Sequence, residues 1–429
     1  MMFFSPFRQR PKRRQPQRKR ATLQLTVEQL EDRAVPTTVT YYPAPPGLTV
    51  DAWQGIRNSD TSGRYLICGT SGDNGLLFDG TIAGVGTHYL VNYPNSKATS
   101  VYGPDNQAGD LIGLVGSYRN QSSGSSVEVN GFLYQGEETV AALSEATNYH
   151  PINFPNAQFN YVHSTMGGLA VGNYDSSVDH NNHHLLDGPG HAFLYDVHDP
   201  DHIQFLTDIV FPHSHSNTAY GIWFNGGTSY TICGGYSFSF VNNFDDQNRP
   251  LGHGYLVDYD SSTGGFSNWA SFDFPGRRNV LTHFEGISSV ENGVYTLSAD
   301  SVQVGPGNRA QGSWVSVRRN PAGSFGQATW VDLNFTPLPP DFQPFITSSN
   351  SVYGNQVVGI VPGEDNGMFS SFAYQATVNL GSQRSQGISG NSGNGMALDQ
   401  AAAGQIAMIY IGTNVTGTSI VATPRTASW

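Results

Sequence analysis

Residues Phe211 to Tyr259 decide the reading of this chain: FP at 211–212, TAYGIWFNGG at 218–227, YTICGGY at 230–236 and GHGYLVDY at 252–259. The parts are a proline punctuation, a Gly-Ile turn, an apolar strand closing on glycine, and a strand of alternating aromatic and apolar residues. The chain repeats this sequence of parts. Recurrence at a near-fixed period names the building unit more securely than any local signal.

Three anchors recur. An apolar residue followed by glycine occurs at Cys68-Gly69, Val115-Gly116, Val171-Gly172, Cys233-Gly234, Val358-Gly359 and Ile411-Gly412, with Leu297-Ser298 as a copy lacking the glycine. An aromatic strand occurs at Leu77-Phe78, Phe132–Tyr134, Phe193–Tyr195, Tyr255–Val257, Trp314-Val315 and Phe372–Tyr374, with a faint last copy at Ser419–Val421. An apolar strand stops on Pro94, Pro155, Pro212, Pro275 and Pro337. Proline cannot donate to a ladder, so such a strand ends there.

Thr40–Pro43 is of the third type but precedes the first full unit, whereas the last unit, about 387–423, lacks a strand of that type. An open stack would leave two bare sheet edges, which proteins blunt or cover. The expectation is an all-β chain, a seven-bladed β-propeller of four-stranded blades, closed by the N-terminal strand Thr38–Tyr42 lying beside Gly417–Val421. Glycines at 63, 109, 168, 227, 293, 354 and 404 are placed for hairpins that need positive φ.

The chain has 429 residues, 50 of them Gly and 24 Pro, which suits short strands and tight turns. Only Ala141–Thr147 and Ala397–Ala403 look briefly helical, and no apolar run is long enough for a transmembrane helix. Residues 1–33 hold nine Lys or Arg against three acids; the remainder holds 12 basic and 30 acidic residues. The domain reading is therefore a basic, disordered leader or export segment over 1–35 and a propeller over 36–429. The body has one lysine, Lys97. Phosphate backbones need clustered cations, so the body is not expected to bind nucleic acid. Cys68 and Cys233 occupy the same slot of non-adjacent units, too far apart to bridge, and read as small buried apolar residues.

Two stretches resemble known patterns. Leu23–Pro36, LQLTVEQLEDRAVP, resembles the leader on many predicted extracellular proteins of planctomycete bacteria, through Leu25, Glu28, Leu30, Glu31, Arg33 and Pro36, with the first Leu-to-Glu gap at three positions. Gly190–Tyr195 and Gly252–Tyr255, with Gly55-Ile56, Gly221-Ile222 and Gly286-Ile287, resemble the HAF-type extracellular repeat. The resemblance implies export to the surface or outside and a propeller fold. It implies no catalytic residue.

Ten of the 13 histidines lie between His150 and His215, interleaved with Asp175, Asp179, Asp187, Asp196, Asp199 and Asp201. Imidazole with carboxylate suits a borderline metal, so His180, His183 and His184 are candidate ligands for a divalent metal. The alternative is a solvated histidine-rich loop, and no cofactor is firmly implied. His191 and His253 share a repeat slot and read as framework.

Propellers seat ligands at the mouth of the central channel. The residues around the Gly-Ile positions are the candidates: Trp53, Gln54, Tyr102, Tyr161, His163, Tyr220, His283 and Glu285. Such a mixture suits stacking on sugars or peptide capture, and the tyrosines alternatively serve packing. Nucleophile-elbow, P-loop and H-E-x-x-H motifs are absent; carboxylates for glycoside cleavage could come from Asp175, Glu285 or Glu364. The expected function is an extracellular or cell-surface monomeric module that binds a glycan, an envelope polymer or a protein. The alternative is a propeller hydrolase or lyase acting on polysaccharide through channel residues.

Overall fold

The computed structural model describes residues 38–380 apart from 46, 108–110, 121–127, 176–189, 239–251, 276–279, 304–308, 336–337 and 339–340. Strand β1 (Thr38–Pro43) comes first. Four separate four-stranded antiparallel sheets follow. The first is β2 (Ala52–Asn58), β3 (Tyr65–Ser71), β4 (Asn74–Gly80) and β5 (Gly86–Val91). The second is β6 (Ala98–Asn106), β7 (Leu111–Arg119), β8 (Asn130–Glu137) and β9 (Tyr149–Ile152). The third is β10 (Phe159–Met166), β11 (Leu169–Asp175), β12 (His191–Asp196) and β13 (Gln204–Ile209). The fourth is β14 (Ser216–Gly226), β15 (Ser229–Ser237), β16 (Gly252–Asp260) and β17 (Gly265–Phe272).

The remaining strands form one nine-stranded sheet that divides into two units of the same plan. The fifth unit is β18 (Val280–Glu291), β19 (Val294–Gln303), β20 (Arg309–Arg319) and β21 (Phe325–Leu333). The sixth holds β22 (Phe342–Pro344), β23 (Ile346–Tyr353), β24 (Gln356–Asp365) and β25 (Met368–Asn379). Only a two-residue parallel bridge, Ala310↔Ile346 and Gln311↔Thr347, joins them. β1 supplies the sixth unit's outer strand, pairing antiparallel with β25 from Thr38↔Asn379 to Pro43↔Tyr374.

The core shows that the units close on themselves. Along each second strand, neighbouring side chains point to opposite faces, so each sheet feeds two apolar layers. Cys68 joins Leu114 and Phe132 of the second unit, while Ile67 joins Val358 and Ala373 of the sixth. Val115 packs with Ala170 and Phe193, Val171 with Ile232 and Tyr255, Cys233 with Leu297 and Val315, and Trp314 with Val357 and Tyr374. Six layers separate six units. The last seam is also polar: Asn350 Nδ2 donates to the Trp53 carbonyl at 2.7 Å, and Ser371 Oγ to the Asp51 carbonyl at 3.1 Å.

The expected propeller is found and an N-terminal strand does complete its last described sheet, but that strand pairs with β25, and seven blades are not found among the described residues. The described residues make six units, and β1 completes the sheet of Phe372–Tyr374. The segment proposed as a seventh unit, including Gly417–Val421, lies outside the described residues. The described prolines agree with this: Pro94, Pro155, Pro212 and Pro275 follow the outer strands of the first four units, and Pro43 ends β1, the outer strand of the sixth.

The aromatic before each proline explains the third anchor. The backbone N–H groups of Tyr93, Phe154, Phe211 and Phe274 are capped by Thr99, Asn160, Asn217 and Thr282, at 2.8 to 3.0 Å. Tyr93, Phe154 and Phe211 then stack on Tyr118, Tyr174 and Tyr236 of the next unit, with centroids 3.6 to 3.8 Å apart. This crossing carries the chain from one outer strand to the next inner one. His191 and His253 are framework, stacking on Tyr174 and Tyr236. Hairpin glycines 63, 168, 227, 293 and 354 have positive φ as expected; 109 and 404 lie outside the described residues. Cys68 and Cys233 are buried free thiols, and burial holds both well above the ordinary thiol range.

Candidate functional site

The Gly-Ile positions are not turns. They lie mid-strand, in the innermost strand of each unit, immediately after a register slip. The slips fall at Trp53/Gly55, Val101/Gly103, Val162/Ser164, Ala219/Gly221, Phe284/Gly286 and Ser349/Ser351. Each slip leaves one residue unpaired, a β-bulge. The six bulged residues are Gln54, Tyr102, His163, Tyr220, Glu285 and Asn350.

The residue after each bulge meets the neighbouring inner strand. A Cβ on Gly55 would overlap the Tyr102 carbonyl oxygen; one on Gly103 would lie 2.6 Å from the His163 carbonyl. Gly221 abuts Ile287, and Gly286 abuts Ser351. Ile222 N–H donates to Ser164 Oγ at 3.3 Å. With Asn350 reaching Trp53, the six inner strands form a cycle about one axis.

The bulged aromatics pack on one another around that axis. The His163 ring lies 5.1 Å from Tyr102 and 4.3 Å from Tyr220, and Tyr220 lies 4.3 Å from His283. The buried Tyr102 and Tyr220 serve packing; the Tyr102 and Ser117 hydroxyls hydrogen-bond at 2.7 Å. Two residues towards the strand N-termini stand Tyr161, Thr218 and His283. His283 is held between Glu285 Oε1 at Nδ1 (2.7 Å) and Thr218 Oγ1 at Nε2 (3.0 Å). Trp53 is fully buried in the sixth-to-first seam, so this candidate is a core residue.

The other end of the channel is blocked by a residue the sequence reading missed. Arg57 leaves β2 and crosses the axis, its Nη2 donating to Ser164 Oγ and the Ile222 carbonyl, both at 3.3 Å. It is 4% exposed, and its guanidinium lies 5.8 Å from the Trp223 ring centroid. No carboxylate among the described residues lies within ion-pair distance of it, and its Nε has no partner. Burial lowers its pKa, opposed chiefly by Asp105.

The titratable groups of the channel are pushed apart. Burial, then the charge of His283, depresses His163 to about 3. For His283, burial lowers the pKa, but the charge and hydrogen bond of Glu285 prevail and raise it. Asp300 on β19 accepts from Ser348 Oγ and from Ser349 N–H at 2.9 Å; burial, then Glu285, pushes it up to about 7. Asp175 is raised by burial and accepts from Gly190 N–H at 3.1 Å. Glu364 is exposed, away from this set.

These shifts set a pH dependence. With His163 depressed from 6.5 to about 3, the folded chain holds fewer protons than the unfolded one across that window. Its contribution to stability is complete above about 6.5 and is lost as the pH falls towards 3. Asp300 works oppositely: raised from 3.8 to about 7, it costs stability as the pH rises through that window. His163→Asn, a residue already used at this slot in β23, should remove on the order of 2 kcal/mol of acid sensitivity. Urea unfolding at pH 4.5 and pH 7 checks it. An equal effect of the substitution at both pH values means that the ring protonates freely.

His180, His183 and His184 lie outside the described residues. Among the described residues, no group of three or more His, Cys, Asp or Glu is placed to hold a metal. No helix among them is long and apolar enough to cross a membrane.

No family model matches the sequence, and no curated protein is similar to it. Among solved structures, the chain is similar to a luciferin-regenerating enzyme, at 14% identity and TM-score 0.41, over 81% of this chain and 96% of that one. It is similar to a mutant of Trypanosoma rangeli sialidase displaying trans-sialidase activity, at 10% identity and TM-score 0.42, over 78% and 57%. A thermostable family-43 glycoside hydrolase gives 10% identity and TM-score 0.37, over 79% and 92%. The propeller assignment rests on this chain's own sheets, and no residue role passes to it from these proteins.

Proposed function

We propose that this chain is an exported or cell-surface propeller whose channel mouth binds a glycan or a segment of an envelope polymer. One observation supports the reading. The rings of Tyr102, Tyr161, His163 and Tyr220 form one contiguous set at the channel, with centroids 4.3 to 6.5 Å apart, and Tyr161 and His163 are only partly buried. Aromatic faces beside accessible polar groups match the apolar face and hydroxyls of a sugar. The leader Leu23–Pro36 and the HAF-type pattern support export.

A thermal-shift and glycan-array screen on the full chain tests the proposal. A binding glycan should raise the melting temperature by mass action, and Tyr161→Ala or Gln54→Ala should weaken it at least tenfold. Binding that neither substitution changes rejects the mouth as the site. The Glu285–His283 pair beside Asp300 favours polysaccharide hydrolysis or lysis as the second reading. Reducing-end or unsaturated-product release that Glu285→Gln abolishes would select it.

A further inference from the structure

A second concavity opens at the C-terminal ends of the inner strands, between the second and third sheets, on the far side of Arg57 from the mouth. It measures about 330 Å³ and is lined by Asp105, Gln107, Gln135, Met166, His198 and Phe224 among others. This is the small end of the usual ligand range, about 300–1,000 Å³. Its floor is apolar, with Met166 and Phe224 joined by a Phe224 N–H to Met166 Sδ contact at 3.4 Å. One wall is polar: Gln135 Nε2 donates to Gln107 Oε1 at 2.7 Å, and the Gln107 side chain and Gly167 backbone lie near enough to Asp105 to favour its charged form.

Asp105 is the unusual member. It is 6% exposed yet lines the cleft, with no Lys or Arg within ion-pair distance among the described residues. A buried carboxylate carries a desolvation cost that ordinarily demands a paired charge. Here only neutral groups, Gln107 and Gly167, ease that cost from close by, leaving acceptor capacity free. Burial raises its pKa to about 6, against the pull of Arg57.

The charges select the ligand. The charge of Arg57 reaches Asp105, and it opposes a cation seated there. The Asp105 carboxylate opposes an anion. A neutral molecule rich in hydroxyls can donate to Asp105, exchange hydrogen bonds with the Gln107 and Gln135 amides, and lay an apolar face on Phe224 and Met166. We propose that the cleft between the second and third sheets is a subsite for a single neutral sugar ring, with Asp105 as its central acceptor. It is separate from the channel mouth and does not rest on ligand binding there.

The test is a titration of the full chain, labelled at methionine methyl groups, with D-glucose, D-galactose, D-mannose, L-arabinose and N-acetyl-D-glucosamine. Methylammonium and acetate are the charged controls, and Met166→Leu assigns the reporter. The expected result is that at least one sugar shifts the Met166 methyl with a millimolar Kd. Asp105→Asn and, separately, Gln135→Ala at the rim should weaken it at least fivefold, with Tm kept or raised, while Tyr161→Ala leaves it unchanged. Asp105→Asn is nearly isosteric and removes a buried charge, so folding is preserved; Gln135→Ala covers the case where it is not. The proposal is overturned if no sugar moves Met166 at 50 mM, if neither substitution weakens the response, or if methylammonium or acetate binds instead.

Discussion

A chain that begins at residue 44 should not fold to the cooperative state reached by a chain that begins at residue 37. The difference is strand β1. Its six residues pair with β25, and its loss strips the ladder from the outer edge of the sixth sheet. Tyr41 goes with it. That ring lies 5.5 Å from Phe335 and 5.8 Å from Tyr374, and its hydroxyl accepts the Asn334 N–H at 2.6 Å. Burial, partly offset by that hydrogen bond, lifts the Tyr41 hydroxyl to about 12, as expected of a ring sealed into a seam. Net hydrogen bonds at about 1 kcal/mol each, plus two half-buried side chains at about 1 kcal/mol each, sum to roughly 5 kcal/mol or more. That equals much of the net stability of an ordinary domain, about 5–15 kcal/mol. The bare edge would also invite pairing between chains. Chemical denaturation and light scattering of the two chains check this. A residue-44 chain that is monomeric with an unchanged midpoint would mean that β1 only decorates a ring held by its other seams.

The repeat was legible because its marks are direct consequences of blade packing. Alternation along Tyr255–Tyr259 appears wherever a strand feeds two layers, and an aromatic-proline pair appears wherever the chain leaves one sheet for the next. The closing strand was legible for the same reason, since Thr40–Pro43 has the outer-strand pattern at the wrong end of the chain. The seventh unit was inferred from Ile411-Gly412, which no proline-ended strand follows and which lies outside the described residues. The unit-five copy was also misregistered: Gly286 stands opposite Ser298, so the counterpart of Cys68-Gly69 is Ser298-Ala299.

The site was half legible. Tyr102, Tyr161, His163, Tyr220, His283 and Glu285 lie in contact with one another, because their slot in the inner strand recurs, and Gln54 holds the same bulge position in β2. Asn350 fills the same slot but was missed, since Ser351-Val352 stands where the first, fourth and fifth units have Gly-Ile. The bulge itself was invisible. A one-residue slip reverses which face each side chain occupies, and a local pattern of glycine before a β-branched residue reads as a turn. Arg57 and Asp105 were beyond reach. What makes Arg57 a plug is its bond to Ile222, 165 positions away.

Five of the six bulges face a second-strand glycine, the fifth unit having Ala299 in that slot, and at those five the inner-strand carbonyl leaves no room for a methyl. Gly234→Ala should cost about 3 kcal/mol or more, the upper range for overpacking. A Cβ there would overlap the Thr218 carbonyl oxygen and crowd the Ala219 Cα at 3.0 Å. These are backbone atoms of the inner strand, fixed on the far side by the ring. They cannot swing aside as a flexible side chain would. Tyr255 tightens the constraint: it crosses from β16 and donates its hydroxyl to the same Thr218 carbonyl at 2.9 Å. The glycine, the carbonyl and the tyrosine form one arrangement, repeated in the sixth sheet by Gly359, Ser348 and Tyr374, also at 2.9 Å. Gly265→Ala is the control, because its Cβ would meet only the Thr263 hydroxyl at 3.2 Å; it should change stability by less than about 1 kcal/mol. Urea midpoints of the three proteins decide the matter. The displaced strand carries Thr218 and Tyr220, so Gly234→Ala should also disturb the contacts of His283 and His163. Histidine ring resonances that stay put in a stable Gly234→Ala protein would show that the inner strand tolerates the added methyl, and that the bulges do not need the glycines opposite them.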